Sequence, residues 1–419
     1  MLNVCVVMSR TVPKILLRIA VYDFALVLVT TITCVAMAEE DRLTVRNPEQ
    51  LPDSLPVQRI PIGVPSHYKP CIARLPSGEL WVVAFHGRRV ENNKISEKMV
   101  LFRSTDGGRN WSDAKTLPMV GREPYFSILK DGTILITAQI HAIEIRNTED
   151  HTHSCIHRSR DGGKTWQTTM VTGSDLASEE KAGVIFCSRN VLELDDGSVV
   201  FGAGGPHGNE YLWRSQDGGA SWDRSLQCDY VGVDQKLLKR DPVPVLAEAV
   251  YWQARNGDLL AICRVNNKYH PPIAGTGIPQ GGSDQLERMV LYRSSNGGAT
   301  WTFSELGSHY GEMYPALLRL RDGRLLLTFT MRTAVSPNKP PLGVRAVLGK
   351  ETPDGFQFDF SRDRIVISDK TPVGTRSGGG FGPTVQLDDG TLVTAYSYRT
   401  AEEDGRYSHV EVVRWKLDY

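Results

Sequence analysis

Apolar runs in this chain come in pairs, and each pair is divided by a two-residue turn ending in glycine. The turns are Ser77-Gly78, Asp131-Gly132, Asp196-Gly197, Asn256-Gly257, Asp322-Gly323 and Asp389-Gly390, with glycine-to-glycine spacings of 54, 65, 60, 66 and 67 residues. Such dipeptides between short apolar segments are hairpin signals, and recurrence at a near-constant period marks a repeat architecture. The pattern predicts six antiparallel units over residues 66–419.

A second motif follows four of these hairpins. It reads R-S-x-[DN]-G-G-x-x-W at Arg103–Trp111, Arg158–Trp166, Arg214–Trp222 and Arg293–Trp301. The Asp or Asn accepts backbone N–H groups, the glycines supply left-handed conformations, and the Trp buries a large ring beneath the turn. A catalytic group has no reason to appear four times, so these aspartates are read as turn staples. Together the hairpins and boxes predict an all-β fold, a six-bladed β-propeller of four-stranded antiparallel blades. The last unit shows only three strands and no box. Leu55–Ile62, in the Pro-rich stretch 39–65, is the candidate for its missing outer strand, because an unclosed sheet leaves exposed edges.

Composition changes this picture little. The 419 residues carry 48 basic and 48 acidic side chains, with no basic run, which argues against nucleic acid as a partner. Residues 1–38 stand outside the repeat. Arg10, Lys14 and Arg18 precede an apolar stretch ending in Ala36-Met37-Ala38, which predicts a secretory signal and a secreted or periplasmic protein without a stable membrane span. Met8 offers an alternative start, and an uncleaved anchor is the competing reading. Five cysteines remain after residue 38 at no metal-like spacing, so no metal or cofactor is expected and most are read as buried thiols, with at most one or two disulfides.

Candidate chemistry comes from registering the six hairpins on their turns. Eight residues before the first turn residue stand Lys69, Glu123, Ser188, Glu248, Tyr314 and Phe381; eight after stand Phe85, Gln139, Gly204, Arg264, Thr330 and Ser397. Members of each pair are expected to face one another across the ladder, with the first set ringing the central opening. Glu248 and Arg264 form the most informative pair, either as a structural ion pair or as a charged handle for an anionic sugar. Glu312 and Arg332 are expected to repeat the arrangement one pair further out. His86, Arg88, Arg89, Arg122, His141, His207 and His309 are placed near the same face, making a positive mouth suited to carboxylate or sulfate groups. Two loops, Asn266–Leu286 and Ala142–His153, are candidates for its rim.

The boxes resemble the Asp-box repeat of the sialidase superfamily, and the resemblance covers roughly residues 66–419. It implies a glycoside hydrolase that binds a sugar carboxylate through three arginines and uses a Tyr nucleophile, a Glu partner and an Asp acid/base. Glu248 and Arg264 match the family's Glu and second Arg. Lys69 stands where the first Arg is expected, Arg332 or Arg345 could supply the third, with Arg332 preferred, and Phe381 falls at the nucleophile. Phe cannot attack, and Lys lacks bidentate geometry. Only Glu91 and Glu97 precede the first box where the Asp is expected.

Three readings follow. The first is a divergent exo-glycosidase acting on a terminal acidic sugar of an oligosaccharide or glycoconjugate. In it Glu248 and Glu123 are the catalytic carboxylates and Tyr314 an alternative nucleophile. Arg264, Lys69, Arg332, Arg88, Arg122, His86 and Phe381 then form the substrate site. The second is an exo-α-sialidase proper in which Tyr396 or Tyr398 reaches the centre. The third is a non-catalytic glycan-binding propeller.

Overall fold

The computed structural model describes residues 41–149, 151–172, 185–204, 210–231, 248–266, 287–332, 342–372, 380–400 and 408–417. The expected leader, His207 and nearly all of the 266–286 loop lie outside them. The described residues are all β apart from a single 3-10 turn, Glu91–Asn93.

The hairpin turns lie where the alternating pattern puts them. The first sheet is a four-stranded meander of His67–Arg74, Leu80–Arg89, Ile95–Ser104 and Lys115–Thr116. The second comprises Arg122–Ile128, Ile134–Ile140, His153–Ser159 and Gln167–Val171. In the third, the first strand is broken into Phe186–Cys187 and Leu192–Glu193, both paired with Val199–Gly204, and Glu210–Ser215 follows. The fourth runs from Val250–Gln253 through Leu259–Asn266 and Glu287–Ser294 to Thr300–Glu305, and Asp229–Val231 adds a parallel edge strand.

The remaining two meanders are not separate sheets, as the hairpin pattern suggested. Arg42–Arg46 pairs on one side with Arg364–Thr371 and on the other with Ser54–Ile62, fusing them into one ten-stranded sheet. An extended segment placed between two open edges satisfies both rows of backbone groups at once. Ser54–Ile62 in turn pairs antiparallel with Ser408–Trp415, in register from Val57 opposite Trp415 to Ile62 opposite Val410. The N-terminal strand thus completes the C-terminal meander.

Apolar side chains on both faces of each meander meet those of its neighbours. Among the described residues six clusters lie between successive meanders. The sixth joins the last to the first, with Val393, Ala395, Val410 and Val412 against Ile72, Val82 and Phe102. Each box turn is stacked on the preceding meander. A Cβ on Gly163 would lie 2.6 Å from Trp81, one on Gly219 would lie 3.4 Å from Leu135, and one on Gly108 would lie 3.3 Å from Val393 of the last meander. All three have positive φ, and at Gly163 a Cβ would in addition clash with Trp81, so glycine is required there on both counts. Arginines seal the same seam: Arg158 donates 2.8 Å to the Gly218 carbonyl and Arg414 donates 2.9 Å to that of Gly107.

Within the boxes the aspartates staple turns. Asp106 accepts from the Arg109 and Asn110 N–H groups at 3.0 Å and from Ser104 at 2.9 Å, and Trp111 donates 3.1 Å to the Gly108 carbonyl. Asp161 and Asp217 repeat the pattern, and Asn296 keeps the 2.9 Å contact to the Thr300 N–H. All five cysteines after residue 38 are buried free thiols, not disulfides.

Candidate functional site

Five of the six meanders carry an irregularity at or just before the first strand, at the position registered eight residues before the turn. Lys69, Glu123, Glu248, Tyr314 and Phe381 have φ of 47°, 54°, 56°, 57° and 60°. Long or aromatic side chains avoid this left-handed region, so five equivalent instances constitute strain that the surrounding sheets impose. In three strands the ladder register also shifts, between Tyr68 and Cys71, between Arg122 and Tyr125, and between Met313 and Ala316. The consequence corrects the expected cross-strand pairs. Tyr68 rather than Lys69 lies opposite Phe85, Arg122 rather than Glu123 opposite Gln139, and Met313 rather than Tyr314 opposite Thr330. A bulge adds one unpaired residue and re-aims its side chain. Likewise Phe186 rather than Ser188 faces Gly204, and Gly380 rather than Phe381 bridges Ser397.

The re-aimed side chains converge. Lys69 pairs with Glu123, and Arg189 reaches Glu123 at 3.4 Å and Glu248 at 2.7 Å. Arg264 lies 3.0 Å from Glu248 and 3.2 Å from Glu287, and donates 3.2 Å to the Tyr314 hydroxyl. Cation and anion thus alternate through Lys69, Glu123, Arg189, Glu248, Arg264 and Glu287, an arrangement that keeps buried charges compensated. Aromatic faces floor the network. Tyr314 and Phe381 pack in a tilted pair with ring centroids 5.4 Å apart. Lys69, Arg189 and Arg332 lie 4.8, 4.8 and 4.9 Å from the Tyr314 centroid, and Arg189 lies 4.2 Å from that of Phe381.

Of these groups Lys69, Glu123, Glu248, Arg264, Tyr314 and Arg332 line a cavity of about 280 Å³, whereas Arg189, Glu287 and Phe381 do not, so the expected substrate contact at Phe381 is replaced by a buried ring behind Tyr314. Its wall carries Lys69, Arg122, Arg264, Arg332 and Arg399 against Glu123 and Glu248, an excess of cationic groups. Burial pushes the Lys69 ammonium down to about 7, opposed by Glu123 and assisted by Arg332 and Arg189. Burial alone would raise the Glu123 carboxyl, but Lys69, Arg189 and Arg122 hold it well below the usual carboxylate range. The Tyr314 hydroxyl is pushed up by burial, against the pull of Arg332 and Arg264.

Other expected site residues fall in different places. His86, Arg88 and Arg122 line a wider adjoining cleft of about 980 Å³ with Arg89 and His141. Glu312 does not pair with Arg332; it is fully buried against Arg364 at 2.6 Å. Arg345 is also fully buried and donates to the carbonyls of Val344 and Ser368, so Arg332 is the arginine that reaches the cavity. His309 lines a separate pocket beside Phe360. Tyr396 is buried with its hydroxyl bonded to Glu411 and to Arg59 at 2.6 Å, and Tyr398 stacks on His409. Neither tyrosine lines the cavity, which corrects the reading that places one of them at the centre. Glu144, in the expected rim loop, is buried in a clasp with Arg146 at 2.6 Å.

Three participants were not anticipated. Arg189 follows Ser188, the one registered position without a left-handed backbone, and no other unit has a counterpart. Glu287 opens its strand beside Arg264. Arg399 had a detectable signal: it stands ten residues after Asp389, as Arg332 stands ten after Asp322.

Repeated β meanders, box-type turns and a buried charge network facing a cationic cavity define a class of repeat-built protein with a polar site at the junction of its sheets. The chain belongs to the BNR repeat-like domain family of the sialidase superfamily; the family model matches residues 64–327. It is 29% identical over 146 residues to a sialidase of Vibrio cholerae, an alignment spanning 30% of this chain and 19% of that protein. A crystal structure of a protein of unknown function from Dyadobacter fermentans superposes with a TM-score of 0.59 at 20% identity, covering 86% of this chain and 98% of that one. The NanB sialidase of Streptococcus pneumoniae superposes with a TM-score of 0.57 at 11% identity, covering 84% and 68%. Likeness at these identities speaks to the fold.

Proposed function

We propose that this protein is a six-bladed propeller acting as a divergent exo-glycosidase on a terminal acidic sugar, outside the cytoplasm. The blade count is supported by the six inter-meander clusters and by the seam between last and first. The activity rests on one observation above all: five cationic side chains and two carboxylates surround a single 280 Å³ cavity. Lys69, Arg264 and Arg332 would hold the sugar's anionic group. Arg264 and Arg332 can offer paired N–H donors, whereas Lys69 acts as a point charge.

Glycoside cleavage requires a group that protonates the leaving oxygen and a second carboxylate that attacks or activates water. Glu123, kept ionised by its cationic neighbours, suits the second role or stabilisation of positive charge on the ring. Glu248, bridged to it through Arg189, is the candidate partner. The rise in the Tyr314 hydroxyl disfavours its service as nucleophile unless a bound substrate or base lowers it.

A second reading, a glycan-binding propeller without turnover, is favoured by the engagement of both carboxylates with cations. Mass spectrometry of products from sialyl, uronate-containing and sulfated oligosaccharides separates the two. Release of one terminal acidic sugar is expected. Binding of those glycans without any product would overturn the enzymatic reading.

A further inference from the structure

The wider cleft adjoins the inner cavity and shares three lining residues with it, Tyr68, Arg122 and Arg399. At about 980 Å³ it is large enough for a sugar unit or more. We propose that this outer cleft is a subsite for a second acidic sugar, so that the protein takes glycans bearing carboxylate or sulfate groups on two neighbouring units. The inference rests on the reading of the inner cavity as the seat of the terminal acidic sugar.

The chemistry of the lining carries it. Arg88, Arg89, Arg122 and Arg399 line the cleft with a single carboxylate, Glu97, which is buried and lies 3.6 Å from Arg122. The Nε of Arg399 and the Nδ1 of His86 are buried without a hydrogen-bond partner, while the Nε of Arg122 has only the 3.6 Å ion pair to Glu97, whose second oxygen is likewise unpartnered. Buried donors left unsatisfied are costly, and anionic oxygens would satisfy them. The surrounding groups act in the same direction. Burial pushes the Glu97 carboxyl up to about 7, against Arg122, so its opposing charge is weakened near neutrality. His86 and His141 are held down, chiefly by burial, and present neutral N–H groups suited to hydroxyls. Tyr68 and Phe85 are buried beneath the lining, and their rings back the guanidinium groups of Arg399 and Arg122 at 5.0 and 5.4 Å, holding those cations toward the cleft.

The rim of the cleft is built rather than incidental. The segment after Ile140 pairs with the first sheet through Ile95 and Glu144, and the Ile95 N–H donates 2.9 Å to the Ile143 carbonyl. Ile143 and His141 are thereby held in the lining of the cleft.

The test is calorimetric titration of the protein with two synthetic disaccharides that share a terminal carboxylate sugar, one with a neutral second unit and one with a sulfated second unit. The sulfated probe is expected to bind at least about tenfold more tightly, the size of one good charge-assisted contact, with a steeper loss of affinity as salt rises. In the Arg88→Gln/Arg89→Gln double variant that ratio should fall toward one. Equal affinities in the unmodified protein, or an unchanged ratio in the variant, would overturn the second subsite while leaving the inner cavity's role intact. Failure of both probes to bind, with a neutral disaccharide binding instead, would sink the proposed function and this inference together.

Discussion

The carboxylate of Glu248 lies 3.0 Å from the guanidinium of Arg264, sixteen residues further along the chain. Glu248 is not on a ladder strand; its N–H is held 3.0 Å from the Cys187 carbonyl of the neighbouring sheet, and its backbone is left-handed. The other carboxylate oxygen accepts Arg189 at 2.7 Å. One side chain therefore ties two sheets to the same cavity.

Glu248→Gln should abolish most turnover, by about 10²–10⁴-fold if Glu248 transfers a proton, while leaving the fold assembled. The amide keeps the volume and one acceptor for Arg264. Steady-state rates together with a thermal melt check this. An active variant with an unchanged melt would assign Glu248 to structure alone.

Tyr314→Phe removes only the hydroxyl that accepts from Arg264. The ring, and with it the tilted contact with Phe381 and the faces that meet the cations, remains. We expect a loss of about tenfold or less in kcat, consistent with a positioning hydroxyl. A loss of more than about 10³-fold, with substrate binding retained, would identify Tyr314 as the nucleophile.

Anion affinity should fall as pH rises through about 7. Lys69 is charged below that value and loses its proton above it, because burial and the nearby Arg332 and Arg189 oppose the ammonium while Glu123 supports it. Glu97 titrates near the same pH and gains negative charge as pH rises, so the two changes reinforce each other. Binding of a monocarboxylate sugar measured between pH 5.5 and 8.5, values chosen to span roughly the titration of both groups, checks the direction. Lys69→Arg should flatten much of the dependence, since a guanidinium keeps its charge throughout.

Asp106→Asn should be nearly neutral for stability, whereas Asp106→Ala should cost about 1–2 kcal/mol. Asn296 already does this job in the fourth box, where it accepts the Thr300 N–H at 2.9 Å. Chemical denaturation of both variants reads the difference, and activity should not follow it if the boxes are turn staples.

Much of the architecture was legible because hairpin turns depend on neighbours in the chain. Asp131-Gly132 and Asp389-Gly390 need only their own backbone to set a turn. Registering on those turns also groups Lys69, Glu123, Glu248, Tyr314 and Phe381, since equivalent positions of a repeat take the same left-handed bend at the start of their meanders. The cross-strand partners were displaced by one residue because a bulge leaves no mark in the apolar alternation until Cys71 and Tyr125 resume it. Symmetry of the hairpin pairs Glu312 with Arg332, but Arg364, fifty-two residues away, occupies it.

By itself the sequence determined the repeat, the turns, the stapling boxes and the residues that stand at the first-strand bends, because each follows from local backbone chemistry and a period. Tertiary structure alone decided which charges meet. The fusion of two meanders by Arg42–Arg46, the bridging of Glu123 and Glu248 by Arg189, and the sharing of Arg399 between two cavities join segments far apart in the chain. Ion pairs have no sequence period. They form where folding excludes water and leaves an opposite charge within reach, and that depends on how all the sheets pack around a common centre.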